Sequence, residues 1–183
     1  MFSVAFTGYR PEKMPFCELP DDKNYAKFRA IQLKVIKRLI EKGATHFISG
    51  VAMGFDTWVA EDILELKREN GLLTLECAIP FPQQADNWPQ HAKQRRKYIL
   101  ERSDVLTTVS DCYVRDAFFA RNRYMVDCAD VLVCAFDGAR GGTAYTVDYA
   151  LKKNKIIIKI DPQNADVSML GCANFDLLGG KCL

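Results

Sequence analysis

The chain has 183 residues, of which 49% are hydrophobic and 26% are charged, and its formal net charge is +2. This composition predicts one globular domain and excludes a disordered chain. A charge so close to zero gives no general support for nucleic-acid binding, although it allows a local basic patch. No apolar run approaches the roughly 18 residues that span a membrane, and the N-terminus has no basic leader. We therefore expect a cytoplasmic protein that does not contact membranes.

The seven cysteines include no CxxC pair, and the two histidines lie far apart in the sequence. Cys77, Cys128 and Cys134 lie within apolar segments, which favours buried, reduced thiols over a disulfide framework. So few histidines at such a spacing also argue against a zinc site. The sequence therefore predicts a protein without a bound metal.

Strand and helix patterns alternate along the chain. The first strand, 2–7, is a near-continuous apolar run, which is typical of a strand buried on both faces. A long loop with Pro11, Pro15 and Pro20 follows it, and long loops in compact domains tend to be functional. The other predicted strands are 45–48, 72–79, 104–109, 131–136 and 156–160, and the predicted helices are 24–42, 55–71, 90–102, 117–129 and 143–154.

This alternation predicts an α/β fold with a doubly wound, mainly parallel sheet of about six strands and helices on both faces. We expect residues 1–183 to form a single domain. Residues 162–183 have no regular pattern, so we expect an irregular C-terminal segment without an assigned role.

Three glycine-containing turns each follow a predicted strand. In a doubly wound sheet, ligands bind beyond the carboxyl ends of the strands where the strand order reverses. All three turns would lie at that edge. They are Thr7-Gly8-Tyr9-Arg10, Ser49-Gly50 through Gly54, and Gly141-Gly142-Thr143.

The chemistry of these turns suits a phosphate. Glycine lets the backbone approach an anion closely, and the first turn of a helix has unpaired N–H groups. Thr7, Ser49 and Thr143 add hydroxyl donors, and Arg10 adds a guanidinium that can bind phosphate bidentately. None of the turns is a P-loop or a GxGxxG fingerprint, and each alone is more typical of an ordinary connection than of a binding site. Taken together they indicate a phosphate-binding crevice.

Two charged features accompany the turns. Arg121-Asn122-Arg123 lies near the start of the fourth predicted helix, where side chains two residues apart point in different directions. One arginine should therefore face the ligand edge, and the other should be solvated or paired with an acid. Asp56, in the first turn of the second helix, either accepts a hydrogen bond from a ribose hydroxyl or stabilises the helix terminus.

Taken in order, these motifs resemble the SLOG superfamily of Rossmann-like nucleotide-binding domains, and in particular its YpsA-like branch. The resemblance covers Phe2 to about Ile160 and implies binding of a nucleotide or a nucleotide-derived ligand such as ADP-ribose. The related DNA-processing protein A family has a turn similar to residues 49–56 and an Arg-Asn-Arg element similar to 121–123, and it binds single-stranded DNA. The related Lonely Guy phosphoribohydrolases have an arginine-bearing helix and a Pro-Gly-Gly-x-Gly-Thr-x-x-Glu turn.

The chain departs from the phosphoribohydrolase pattern after Gly142. The second glycine–threonine step is missing, and no glutamate stands where that enzyme needs its acid. Asp148 could replace the glutamate, but its side chain is one methylene shorter, and proton transfer requires an acid within about 3 Å of its target. A hydrolase would use Arg121, Asp148 and Asp56 as its catalytic candidates.

The leading hypothesis is that the chain binds or senses a nucleotide-like small molecule at the three turns. Its ligand-binding residues would be Thr7, Gly8, Arg10, Ser49, Gly50, Gly54, Asp56, Arg121, Asn122, Gly141, Gly142 and Thr143. The alternative is an N-glycosidase that acts on nucleoside monophosphates. Binding of single-stranded nucleic acid, suggested by the basic run 93–97, is less favoured. The sequence leaves the oligomeric state open, a homo-oligomer included.

Overall fold

The computed structural model describes residues 1–171. It contains every strand and helix that the sequence predicts, with slightly different ends. The strands are β1 (Phe2–Gly8), β2 (Ala44–Ser49), β3 (Thr74–Ile79), β4 (Val105–Thr108), β5 (Val131–Ala135), β6 (Ile156–Ile160) and β7 (Val167–Leu170). The helices are α1 (Lys23–Glu41), α2 (Phe55–Glu69), α3 (Gln90–Leu100), α4 (Ala117–Cys128) and α5 (Gly142–Lys152), and short 3-10 turns occur at Pro11–Lys13 and Pro82–Ala85.

The seven strands form one sheet with the order β4-β3-β2-β1-β5-β6-β7. All neighbours are parallel except β6 and β7. Helix α1 packs against α2 and α2 against α3, whereas α4 packs against α5. The strand order reverses at β1, which lies between β2 and β5, so the two helix groups cover opposite faces. The predicted doubly wound α/β fold is confirmed, and its switch point lies beside β1.

The seventh strand is the main difference from the sequence prediction. β7 lies within the segment 162–183 that we expected to be irregular, and it pairs antiparallel with β6. A tight turn reverses the chain, because the Ala165 N–H donates to the Asp161 carbonyl at 2.8 Å. A four-residue, half-exposed edge strand has too little hydrophobic alternation to be recognised from sequence. Residues 172–183 lie outside the described residues.

Aromatic residues fill the layer between the sheet and helices α1 and α2. Phe6, Phe28, Phe47, Phe55 and Trp58 are fully buried, and their rings lie 6.1–6.4 Å apart in several stacked or edge-on pairs. Burying one large apolar side chain stabilises the fold by about 1.5–3 kcal/mol. This cluster therefore fixes the position of α2, whose first turn lies at the switch point.

The long first loop, 9–22, is held at both ends. At its far end, the Glu18 carboxylate accepts hydrogen bonds from Trp58 Nε1 at 2.6 Å and from Arg95, which also pairs with Glu61. The loop then enters α1 through Asp22, whose Oδ1 accepts from the first N–H groups of that helix. The loop is thus fastened to α2 and α3 through Glu18.

The cysteines described by the structure are free thiols. Cys77 and Cys134 are buried as expected, and burial raises the pKa of each to about 12. The expectation for Cys128 is wrong, because it ends α4 at the surface and is exposed. Among residues 1–171 there is no group of three His, Cys, Asp or Glu side chains that could hold a metal ion. Within the same range, no helix is both long and apolar enough to cross a membrane.

Candidate functional site

A cleft of about 460 Å³ opens at the switch point beside the carboxyl end of β1. Most of the residues that we predicted to bind ligand line it, and the remaining four, Ser49, Gly50, Gly54 and Gly141, lie in the same turns but do not line it. The lining residues are Thr7, Gly8, Tyr9, Arg10, Glu12 and Lys13 from β1 and its loop, Ala52 and Asp56 from the start of α2, Phe118, Phe119, Arg121 and Asn122 from α4, and Gly142 and Thr143 from α5.

The turn between β2 and α2 is shaped by Ser49. This serine is fully buried, so it does not line the cleft. Its hydroxyl donates to the Asp56 carbonyl at 2.8 Å and accepts from the Val51 N–H at 3.1 Å. Val51 has a φ of +48°. For a β-branched residue this left-handed conformation costs about 1–3 kcal/mol, and such strain tends to occur at functional sites. Nothing in the sequence indicated it.

Glycine is required at two positions of this turn. A Cβ on Gly50 would lie 2.0 Å from Arg121 Nη1 and 2.7 Å from Asp56 Oδ2. Arg121 Nη1 donates to the carbonyls of Gly50 and Ala78, so the guanidinium lies directly against the backbone. Gly54 has a φ of +89°, and its Cβ would lie 2.6 Å from the Tyr9 carbonyl. Both glycines therefore shape the cleft from beneath.

Asp56 and Arg121 are buried groups of opposite charge beside Gly50 at the floor of the cleft, and their charges interact although no direct ion pair joins them within residues 1–171. Burial raises the pKa of the Asp56 carboxyl to about 6, although the charge of Arg121, the Ala52 N–H and the charge of Arg10 all oppose the rise. Burial also lowers the pKa of Arg121. A carboxyl that titrates near neutral pH beside a fixed cation can accept a ligand hydroxyl or transfer a proton.

The two arginines of α4 point in different directions, as predicted. Arg121 faces the cleft, and its Nε donates to Asn122 Oδ1 at 2.9 Å. Asn122 in turn donates to Thr146 Oγ1 on α5 at 2.8 Å, so its amide orients the guanidinium. Arg123 lies on another side of the helix, where it donates to the Tyr145 hydroxyl and pairs with Asp116.

A second contact holds α4 against the sheet. Tyr124 donates its hydroxyl proton to the carboxylate of Glu76, a buried residue of β3, at 2.6 Å. Glu76 also accepts from His46 Nε2 at 2.9 Å and from the Thr107 hydroxyl at 2.7 Å. These hydrogen bonds lower the pKa of Glu76 to about 2 despite burial, and the bond to His46 makes the largest contribution. The ionised carboxylate therefore anchors α4 one turn beyond Arg121.

Two hydroxyl groups face the cleft without a protein partner. Thr7 and Thr143 are only 8% and 7% exposed, and neither side chain makes a hydrogen bond within the part of the chain that the structure describes. Thr143 lies in the first turn of α5, where the backbone N–H groups are unpaired. The ammonium of Lys13 lies close to Gly141, 3.1 Å from the place of a Cβ there. The N-terminal end of α5 thus brings together the Thr143 hydroxyl, the backbone N–H groups of the first turn and the Lys13 ammonium.

Aromatic side chains of α4 form another wall of the cleft. Phe119 is 38% exposed and packs on Tyr145 with 4.5 Å between ring centroids, and Phe118 packs edge-on against Phe81. Neither phenylalanine was predicted from the sequence to bind ligand, and neither were Glu12, Lys13 and Ala52. Two features of the sequence point to some of these residues. Glu12 and Lys13 lie in the long first loop, which was expected to be functional, and the two phenylalanines lie just before Arg121 in the sequence.

Tyr9 joins the two loops that border the switch point. It is buried, its ring packs edge-on against Phe136, and its hydroxyl donates to Asp137. Burial and the Asp137 carboxylate raise the pKa of Tyr9 to about 12. Tyr9 therefore has a packing role, and its contacts fasten the loop after β1 to the loop after β5.

Asp148 does not belong to the cleft. It lies on the exposed side of α5 and is absent from the lining, so the catalytic role considered for it has no geometric basis. It lies five positions after Thr143, which faces the cleft, and this spacing turns the two side chains apart on a helix. Of the three catalytic candidates, the structure brings together only Asp56 and Arg121.

The fold and the cleft define a Rossmann-like α/β domain with a ligand-sized site at its switch point. More specifically, the chain belongs to the YspA SLOG family, whose model matches residues 4–163. Similar proteins include the UPF0398 protein of Bacillus cereus, 25% identical over 156 residues that cover 84% of each chain. A UPF0398 protein of Bacillus thuringiensis is 24% identical over the same share of each chain.

Two solved structures have a similar fold. DNA processing protein A from Helicobacter pylori, described for its single-stranded DNA binding mode, superposes with a TM-score of 0.60 at 18% identity, covering 89% of this chain and 70% of that one. DNA processing protein A from Streptococcus pneumoniae gives a TM-score of 0.57 at 17% identity, covering 98% of this chain and 53% of that one. At such identities the likeness concerns the fold alone.

Proposed function

We propose that the cleft binds a nucleotide or a nucleotide-derived ligand through its phosphate. The observation that carries this proposal is the pair of Thr7 and Thr143 hydroxyls, which line the cleft beside the start of α5 and have no protein partner among residues 1–171. Both hydroxyls are accessible from the cleft and can donate, so a ligand that accepts from both would gain two hydrogen bonds. The N–H groups of the first helical turn favour an anion at the same place.

The rest of the cleft suits the other parts of a nucleotide. Arg10 and Lys13 add positive charge on the side of the first loop. The partly exposed ring of Phe119 offers a face on which a base can stack. Asp56 is placed to accept from a ribose hydroxyl. A volume of about 460 Å³ lies within the usual range for small-molecule sites.

Calorimetry with ADP-ribose, NAD and a set of nucleoside monophosphates tests this proposal. Thr143→Val removes the hydroxyl without changing the volume and should weaken binding about tenfold, the effect of one hydrogen bond to a charged group. Thr108→Val, on the exposed strand β4, is the matched control and should bind like the wild type. Absence of binding across the whole panel would reject the proposal.

Hydrolysis of an N-glycosidic bond is a second candidate, favoured by one observation. Asp56, whose pKa is about 6, lies in the cleft beside Arg121, as a general acid would. Incubation with nucleoside monophosphates and detection of the free base tests it. Activity should disappear in Asp56→Asn and persist in Asp148→Asn, because Asp148 lies outside the cleft. Activity that survives Asp56→Asn would exclude this mechanism.

Binding of single-stranded nucleic acid along the basic run of α3 has less support. Arg95 is committed to Glu18 and Glu61, and α3 contributes no residue to the cleft. Binding through the remaining cations should weaken steeply with salt. Titration of an oligothymidylate at increasing sodium chloride concentration measures this slope, and a flat response would exclude the hypothesis.

A further inference from the structure

A second cavity, of about 310 Å³, lies between the Pro82–Ala85 turn and α3, and we call it the α3 pocket. It shares no lining residue with the cleft at the switch point. Its lining residues are Pro82, Ala85, Asp86, Lys93, Arg96, Lys97, Leu100 and Glu101.

Arg96 differs from most other arginines that are shielded from solvent. Arg29, Arg95 and Arg123 are each half-buried, and each forms an ion pair with a carboxylate. Only Arg96 and Arg121 are at least half-buried without such a pair in the part of the chain that the structure describes. Arg121 lies in the candidate site, and Arg96 lines the α3 pocket.

The guanidinium of Arg96 is poorly satisfied by the protein. Its Nη2 donates to Gln84 Oε1 at a long 3.4 Å, and its Nε is buried with no hydrogen-bond partner. Burial lowers the pKa of Arg96, and the neighbouring Cys77 and the charge of Asp86 only partly offset this effect. A buried charged donor without a partner is costly, which favours an anion brought by a ligand.

The other residues of the pocket define the kind of anion. Lys93 and Lys97 add two ammonium groups to the guanidinium of Arg96, against the two carboxylates of Asp86 and Glu101. Lys97 Nζ lies 3.7 Å from Glu101 Oε1, whereas neither Lys93 nor Arg96 forms an ion pair within residues 1–171. Pro82, Ala85 and Leu100 form an apolar wall. The volume is at the small end of ligand sites, so the occupant is a compact molecule with one anionic end.

We propose that the α3 pocket binds a small phosphorylated molecule, with its phosphate on Arg96 and Lys93 and its organic part on the apolar wall. A guanidinium matches the geometry of two phosphate oxygens, and a lysine adds a point charge. The concave shape and the apolar wall favour a small molecule over the backbone of a nucleic acid, which would follow an open, basic surface.

Titration of ¹⁵N-labelled protein with ribose 5-phosphate tests the proposal by NMR. The Nε–H resonance of Arg96 and the amides of α3 should shift together and saturate. In Arg96→Gln the affinity reported by the α3 amides should fall about tenfold or more, the effect of losing a charged hydrogen bond. Arg68→Gln, which removes an exposed arginine of α2 paired with Glu65, should bind like the wild type.

Two further arms distinguish the outcomes. Lys93→Gln should also weaken binding, and this variant tests the pocket independently if Arg96→Gln folds poorly. The Gly142 amide reports any ribose 5-phosphate in the cleft, and its shifts should be unchanged in Arg96→Gln. Unsaturable shifts at α3, or equal affinity in both pocket variants and the wild type, would overturn the proposal. The proposal would also be overturned if an oligothymidylate without a terminal phosphate saturated the shifts at α3 and ribose 5-phosphate had no effect on them.

Discussion

Arg121 and Asp56 approach each other over the bare Cα of Gly50, close enough that one methyl group there would overlap both side chains. The arginine comes from α4 on one face of the sheet, and the aspartate comes from α2 on the other. Because α2 and α4 both begin at the switch point, the glycine turn after β2 is where the two faces of the fold meet. The charges at the floor of the cleft depend on this turn.

Substitution of Gly50 should disrupt the cleft. In Gly50→Ala the new methyl would displace Arg121 from the carbonyls of Gly50 and Ala78, and such overpacking costs about 1–3 kcal/mol. We expect a lower free energy of unfolding by urea denaturation and loss of nucleotide binding by calorimetry. Gly71→Ala is the matched control, because a Cβ there meets no atom within 4 Å. Wild-type behaviour of Gly50→Ala would contradict the geometry of this turn.

The pKa of Asp56 predicts a pH dependence of stability. The folded-state pKa is about 6, above the value of about 3.9 in an unfolded chain. The folded state therefore holds the proton more tightly between these values, and stability falls as the pH rises from about 4 to 6, by on the order of 3 kcal/mol. Asp56→Asn cannot titrate, so its stability relative to the wild type should increase by this amount across that range.

Urea denaturation of the wild type and of Asp56→Asn at several pH values between 4 and 7 measures this difference. Comparison of the two proteins removes the contribution of the other acids, which both chains share. Asp148→Asn, at an exposed position of α5, should follow the wild type. Parallel profiles for Asp56→Asn and the wild type would show that Asp56 does not titrate in this range.

Tyr124→Phe should weaken the anchor of α4. The variant removes one of three donors to the Glu76 carboxylate, and a hydrogen bond to a charged group is worth about 1.5–3 kcal/mol. The folded-state pKa of Glu76 is lowered to about 2. Its contribution is thus present above the unfolded value of about 4.3 and is lost as the pH falls towards 2. The loss in Tyr124→Phe should accordingly be largest near neutral pH.

The same denaturation experiment, repeated between pH 2 and 7, tests this prediction. Tyr113→Phe is the matched control, because it removes a hydroxyl from an exposed ring that packs on Phe81. It should leave the free energy of unfolding unchanged. A pH-independent loss in Tyr124→Phe would mean that the hydrogen bond does not stabilise the ionised form of Glu76.

Phe119→Ala should weaken ligand binding with little effect on stability, if the base stacks on this ring as proposed. Stacking of a base on an aromatic side chain contributes about 1–3 kcal/mol, so the affinity should fall about tenfold. Leu72→Ala, at an exposed leucine far from the cleft, is the control for loss of surface apolar area. A ligand without a base, such as ribose 5-phosphate, should bind in the cleft equally well to Phe119→Ala and the wild type, as reported by the Gly142 amide.

Most of the fold can be predicted from the sequence because the parallel strands are nearly continuous apolar runs. β1 and β5 are buried on both faces, and the alternation with helices leaves few arrangements open. β7 could not be predicted, because a short, half-exposed strand is defined by its partner β6 and not by its own pattern.

The site was only partly predictable for a different reason. The glycines of the turns and the order of the strands indicate where the cleft lies. Whether a side chain faces it depends on rotation of each helix, which separates Asp148 from Thr143 and brings Phe119 into the wall. The unpartnered hydroxyls and the unpaired guanidinium of Arg96 are properties of three-dimensional contacts and have no counterpart in the sequence.

The link between Glu18 and Trp58 gives the protein an optical reporter. Indole emission responds to a carboxylate at its N–H, and Glu18 lies on the same loop that brings Arg10 and Lys13 to the cleft. The chain has only one other tryptophan, Trp88. In a Trp88→Phe background, fluorescence would therefore come from a single indole, and any movement of the first loop would change its intensity or wavelength without an attached dye.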